Sequence, residues 1–132
     1  MKDSTLHYFW RVWVNEEGES CQTRNLFKNH EKTIFAMGTS PIWSAVHYSG
    51  AATIITLLLM PKEVKNWHEN PKPQWIIPLK GRWGVETMDG MVVEMGPGDI
   101  SFGGDQGTRG RQGHRSWAIG DTPVELLLIP GL

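Results

Sequence analysis

The feature that most limits how this chain can fold is the frequency with which its apolar runs are interrupted. "HYFWRVWV" gives way to the polar turn "NEEGES", "PIWSAVHYSG" alternates from face to face, and "AATIITLLLM" stops at Pro61. "QWIIPLKG", "RWGVETM", "MVVEM", "GPGDISF", "RSWAIG" and "PVELLLI" follow, with a Gly, Pro, Asn or Asp break every eight to twelve residues. Aromatic and β-branched side chains suit a pleated, half-buried surface, and runs this short cannot supply the helices of βαβ units. The spacing predicts an all-β sandwich or barrel. The Asp89-Gly90 pair favours a type I′ hairpin turn. Only "NLFKNHEKT" has helical character, and no apolar stripe runs through it.

A chain of 132 residues suits one domain with one sizeable core. Residues 1–50 supply N-terminal strands and 51–130 the remainder. A net charge of −1 with interspersed signs leaves no electrostatic footprint for nucleic acid or an anionic membrane. The run "AATIITLLLM" is far below the ~20 residues of a membrane-spanning helix, and "MKDSTLHYFW" lacks the apolar core of a secretory signal. The single cysteine, Cys21, has no internal partner, which fits a reducing compartment, so a soluble cytoplasmic protein is expected.

Candidate chemistry starts in "NWHENPKPQWIIPLKG", residues 66 to 81. Successive side chains of an extended chain point to opposite faces, so His68, Asn70 and Gln74 share one face if the segment stays extended. Pro71 and Pro73 favour extended backbone but exclude a central hydrogen-bonded strand, which predicts a sheet edge or bend. His68 and Asn70 then sit ~7 Å apart along the chain, close enough to converge on one atom. Further on, "GGDQGTRGRQG" (103–113) contains five glycines in eleven residues and is expected to be an exposed loop. It ends at Gly113-His114, just before another strand.

These residues resemble the cupin motifs. The first cupin motif has two histidines one residue apart, then a glutamate, then a glycine after six further residues. Here the order is His68-x-Asn70-x-x-x-Gln74 and then, after six intervening residues, Gly81. The "GPGD" turn (Gly96 to Asp99), a strand, a loop and His114 are similar to the second motif, with the usual Pro-x-Gly before the histidine replaced by the glycine-rich loop. The resemblance spans about residues 51 to 130 and is closest to small single-domain bacterial cupins.

It implies a bowl-shaped β-barrel with jelly-roll connections around one divalent metal ion (Fe, Mn, Ni or Zn) held by three histidines and a glutamate. His68, Gln74 and His114 occupy ligand positions, and Asn70 stands where the second histidine would be. Exchanging glutamate for glutamine removes the one anionic ligand, so a bound ion would keep its full charge: a stronger Lewis acid, less tightly held. The expected function is a metal-dependent enzyme of lyase or isomerase type, acting on a small organic acid or aromatic metabolite by isomerisation, elimination or cyclisation. The alternatives are a cupin dioxygenase, a metal-free binding or sensing module, and a partner subunit with a vestigial pocket.

Around that centre, Trp67, Trp83 and Trp117 are candidate pocket walls, from a total of seven tryptophans. Trp75 has the opposite parity to Gln74 and is expected on the outer face or at a subunit contact. His47 and Tyr48 are acid–base candidates, whichever faces inward. Asp105, Arg109 and Arg111 join the pocket if the loop closes over it, and the arginines would favour a carboxylate. Asp99 and Gly98, like Asp89 and Gly90, are expected to serve turns. "HYFWRVWV" is too apolar for a bare sheet edge, which predicts a homodimer formed through that strand.

Overall fold

The computed structural model describes residues 6–34, 36–63 and 65–131. They form eleven strands: β1 (Tyr8–Val14), β2 (Ser20–Leu26), β3 (Glu31–Thr33), β4 (Ile42–Ser44), β5 (Ile55–Leu59), β6 (Gln74–Lys80), β7 (Trp83–Thr87), β8 (Val92–Met95), β9 (Ser101–Gly103), β10 (His114–Ala118) and β11 (Val124–Pro130). A short 3₁₀ turn spans Arg109–Arg111. The fold is all-β. Among the described residues, no helix is long and apolar enough to cross a membrane.

The strands make a six-stranded sheet in the order β2-β1-β9-β6-β11-β5, a three-stranded sheet β10-β7-β8 and a small β3-β4 pair. Every pairing is antiparallel except β1 with β9. None of the sheets closes into a barrel. β1 lies inside the large sheet, between β2 and β9, so it is not the bare edge from which a dimer contact was expected.

Alternation decides what each strand buries. On β6 and β11 the inward residues are Gln74, Ile76 and Pro78, and Val124, Leu126, Leu128 and Pro130. Ile76, Leu126 and Leu128 meet Trp83, Val85, Val93, Met95 and Ala118 of the smaller sheet, so the core lies between the two sheets. Each fully buried aliphatic side chain there contributes about 1.5–3 kcal/mol. Pro78 is tolerated within β6 because the pairing with β9 ends at Ile76, and the β11 register shifts between Glu125 and Leu126. Ser20 and Gln22 of β2 tie the sheets together: the Ser20 hydroxyl donates to Gly113 O at 2.6 Å, and Gln22 Nε2 donates to Val85 O at 3.0 Å.

Three local expectations are corrected. "NLFKNHEKT" is the end of β2, an irregular link and β3 rather than a helix. It has no apolar stripe, and Asn29 takes a φ of 68° that interrupts a right-handed helix. At Asp89-Gly90, only Gly90 has positive φ and its N–H bonds Thr87 O at 3.0 Å. That is not a type I′ turn, which needs positive φ at both central residues. The "GGDQGTRGRQG" segment is not a uniformly exposed loop, since Gly103, Asp105, Thr108 and Gly113 are buried. The "GPGD" stretch is a turn, closed by Asp99 N–H to Gly96 O at 3.0 Å and by Gly96 N–H to Asp99 Oδ2 at 2.8 Å.

Candidate functional site

Residues 66–73 cannot run as a regular strand past two prolines, yet they are pinned at one point. His68 and His114 exchange backbone hydrogen bonds at 2.8 and 2.9 Å, an isolated antiparallel bridge that carries the irregular segment alongside the start of β10. The two imidazole rings are thereby held side by side, 4.7 Å between centroids and tilted by 52°. Gly113 permits this approach, because a Cβ there would strike the His68 backbone and its φ is 69°.

Behind the pair lies a chain of hydrogen bonds rooted in Asp105, which is fully buried. Burial pushes its carboxyl pKa up, but hydrogen bonds and charge from His114, together with hydrogen bonds from Asn70, hold it below the usual carboxylate range. An ionised carboxylate only accepts hydrogen bonds, and this fixes everything that touches it. Asp105 Oδ2 accepts a hydrogen bond from His114 Nδ1 at 2.6 Å, and Oδ1 accepts from Asn70 N and Nδ2 at 3.0 and 2.9 Å. Asn70 must then turn its Oδ1 away, where Gln74 Nε2 donates to it at 2.7 Å. Gln74 Oε1 takes no part in this chain. His68 donates from Nδ1 to Asn66 O at 3.1 Å. With both Nδ1 atoms protonated, each neutral imidazole keeps an acceptor lone pair on Nε2.

His68, Asn70, Gln74 and His114 line one cavity of about 290 Å³ between the sheets. Asn66 and Ser116 complete its polar side, and Leu57, Leu59, Ile76, Trp83, Leu126 and Leu128 form the apolar side. Among the described residues, no Lys, Arg, Asp or Glu lines it. A larger groove of about 500 Å³ adjoins it, shares His68 and Asn70, and adds Trp67, Glu69, Gln106 and Arg111.

The remaining candidates separate. Trp83 is a cavity wall, but its Nε1 is inaccessible and has no hydrogen-bond partner among the described residues. Trp67 faces the outer groove, with the Arg115 guanidinium 5.0 Å from its ring. Trp117 is not in the cavity; it lies against Gly84, where an added Cβ would sit 2.5 Å from the indole, and Lys65 approaches its ring at 4.5 Å. Arg109 pairs with Glu19 at 3.5 Å, and Arg111 with Glu69 at 3.3 Å, so neither points a guanidinium into the cavity. His47 and Tyr48 do not join either. They line a pocket on the other face of the large sheet with Trp75, whose outward parity matches expectation. The Tyr48 hydroxyl there donates to the Ala51 and Gly131 carbonyls.

Sequence reasoning missed Glu69 and Gly103. Glu69 Oε2 accepts from Gly107 N, Thr108 N and Thr108 Oγ1 at 3.1, 2.9 and 2.7 Å, latching the loop that carries Asp105 to the segment that carries His68. The Thr108 hydroxyl is the main reason its pKa is lowered; burial opposes, and Arg111 and the backbone donors add to the lowering. Gly103 leaves room for the Asn70 amide, since a Cβ would meet Asn70 Cγ at 2.6 Å. Glu69 lies between two residues of the opposite parity, the one available hint.

Among the described residues, no group of three or more His, Cys, Asp or Glu side chains is placed to hold a metal ion. The donors that the cavity could offer an ion are the two imidazole Nε2 atoms and the Gln74 side-chain carbonyl. These donors suit a first-row divalent ion, with no anionic ligand in direct contact. The Asn70 side chain links Asp105 to Gln74, donating from Nδ2 to the first and accepting at Oδ1 from the second.

No protein-family model matches the chain, and no curated protein matches it. Among solved structures, protein NMB1881 from Neisseria meningitidis is similar at 16% identity and a TM-score of 0.39, over 64% of this chain and 86% of that one. A likeness at that level carries no argument about fold or activity.

Proposed function

We propose that the chain is a small cupin-type protein whose two sheets enclose a jelly-roll bowl, and that it is a metal-dependent enzyme acting on a small molecule. One observation carries this: His68, Gln74 and His114, the residues that stand at the motif's ligand positions, line a single cavity with both histidines anchored through Nδ1. His68 and His114 would hold the ion through Nε2 and Gln74 through Oε1. Bound there, a divalent Fe, Mn, Ni or Zn ion supplies Lewis-acid polarisation of a substrate oxygen. Asp105 orients the His114 ring and fixes its tautomer, Asn70 aims Gln74, and the leucines with Trp83 receive the apolar body of the substrate and exclude water. Isomerisation, elimination or cyclisation suits this set better than oxygen chemistry, because redox iron sites usually add a carboxylate.

A second reading is favoured by the lack, among the described residues, of three His, Cys, Asp or Glu side chains placed to hold an ion together. In it the cavity binds its ligand without metal, and His114 Nε2, oriented by Asp105, accepts a proton or hydrogen bond from a ligand hydroxyl. Elemental analysis of untagged protein, purified without chelators and then reconstituted, separates the two. The first reading expects near one ion per chain, lost in His68→Ala and His114→Ala variants that keep wild-type circular dichroism. No ion in the reconstituted wild type sinks it and leaves the second.

A further inference from the structure

His47 and Tyr48, absent from the cavity, belong to a pocket of about 280 Å³ on the outer face of the large sheet, lined also by Phe9, Arg11, Trp75 and Phe102. We propose that this pocket is a second binding site, independent of the cavity, for a small planar aromatic molecule that bears a carboxylate.

Its walls are held by their own contacts. Trp75 meets Phe102 edge to face at 4.7 Å and Phe9 at 5.2 Å, so the three rings fix one another's planes and present apolar surface to a flat occupant. Phe27 packs behind Phe9 at 4.6 Å and against His47 at 4.6 Å, which joins the 27–50 segment to the sheet. The Tyr48 hydroxyl shares its one proton between two carbonyls and so has none to donate to a ligand carboxylate. The volume lies near the lower end of ligand pockets, about 300–1,000 Å³, which limits the occupant to one or two rings.

Charge sets the rest of the class. Arg11 is exposed and makes no ion pair among the described residues; its guanidinium lies 5.4 Å from the Trp13 ring. Among the described residues, no Asp or Glu lines the pocket. A cationic ligand would therefore face an uncompensated guanidinium, whereas a carboxylate would meet a planar fork that can donate two parallel hydrogen bonds. Burial, and then the neighbouring charge of His30, lower the His47 pKa, so Arg11 is the permanent cation here. Phe9, Arg11, Trp75 and Phe102 are outward residues of β1, β6 and β9, and the inward neighbours of Trp75, Gln74 and Ile76, line the cavity. One layer of sheet separates the two sites.

The probes are naphthalene-2-carboxylate and its neutral carboxamide, titrated into the full chain and followed by backbone amide NMR. The carboxylate is expected to move the Phe9, Arg11, Trp75 and Phe102 signals saturably and to leave Ser116 and Leu126 in place. It should bind at least about tenfold more tightly than the carboxamide, the size of a hydrogen bond to a charged group. Arg11→Gln, an exposed substitution, should erase that difference, and His114→Ala should not. Equal affinity for the two probes, shifts confined to the cavity, or no saturable binding at millimolar probe would overturn the proposal.

Discussion

The two faces of the large sheet are ordered by different forces. On the inner face, an ionised carboxylate at Asp105 dictates the orientation of Asn70, which dictates that of Gln74, while its other oxygen dictates the tautomer of His114. On the outer face, Phe9, Phe27, Trp75 and Phe102 are held by ring contacts with no such dependence of one on the next. A directional chain fails when one link is removed, whereas packed rings can adjust. The inner face should therefore be brittle and the outer one tolerant.

Four substitutions probe that contrast, from the largest effect down. Asp105→Ala strands two Asn70 donors and His114 Nδ1 in a buried place, and should cost about 3–5 kcal/mol in urea unfolding. Gly103→Ala drives a methyl into the Asn70 amide and should cost about 1–3 kcal/mol by overpacking, with a lower affinity for any ion or ligand in the cavity. Glu69→Gln loosens the latch and should cost about 1–2 kcal/mol at neutral pH. The Glu69 carboxyl has a lowered pKa in the folded chain. Its stabilisation is therefore present above the unfolded value of about 4.3 and is lost as pH falls through the lower native one. A stability profile should lose that acid limb in Glu69→Gln. Phe27→Leu, on the outer face, should cost about 1 kcal/mol and leave ion binding unchanged. If it cost as much as Asp105→Ala, the contrast between the faces would be wrong.

Much of the inner face could be read from the chain. Side-chain alternation within β6 put Gln74 inward and Trp75 outward, and His68, Asn70 and Gln74 line one cavity with His114 although the chain bends at Pro71 and Lys72 instead of staying extended. Less legible was anything that depends on distant pairing. The parallel contact of β1 with β9 makes β1 an interior strand, and nothing in "HYFWRVWV" announces a partner some ninety residues away. Glycine content predicted freedom at 103–113 but not its direction. The backbone uses that freedom to fold inward, with Gly104 N–H bonded to Val12 O at 2.9 Å and Asp105 buried beneath. Arg109 and Arg111 find Glu19 and Glu69 across long sequence separations, so their removal from the cavity had no local signal. For His47 and Tyr48, alternation could assign opposite faces only within a strand, and β4 ends at Ser44.

Both readings of the site require His114 to carry its proton on Nδ1, against Asp105, and to turn Nε2 toward the cavity it lines. Nitrogen-15 NMR of the imidazole in chelator-treated protein, at a pH where the ring is neutral, reads this directly. The prediction is a proton-bearing Nδ1 and an unprotonated Nε2 at His114. A proton found on Nε2 instead would contradict the orientation from which both the metal-dependent and the metal-free readings of the site are built.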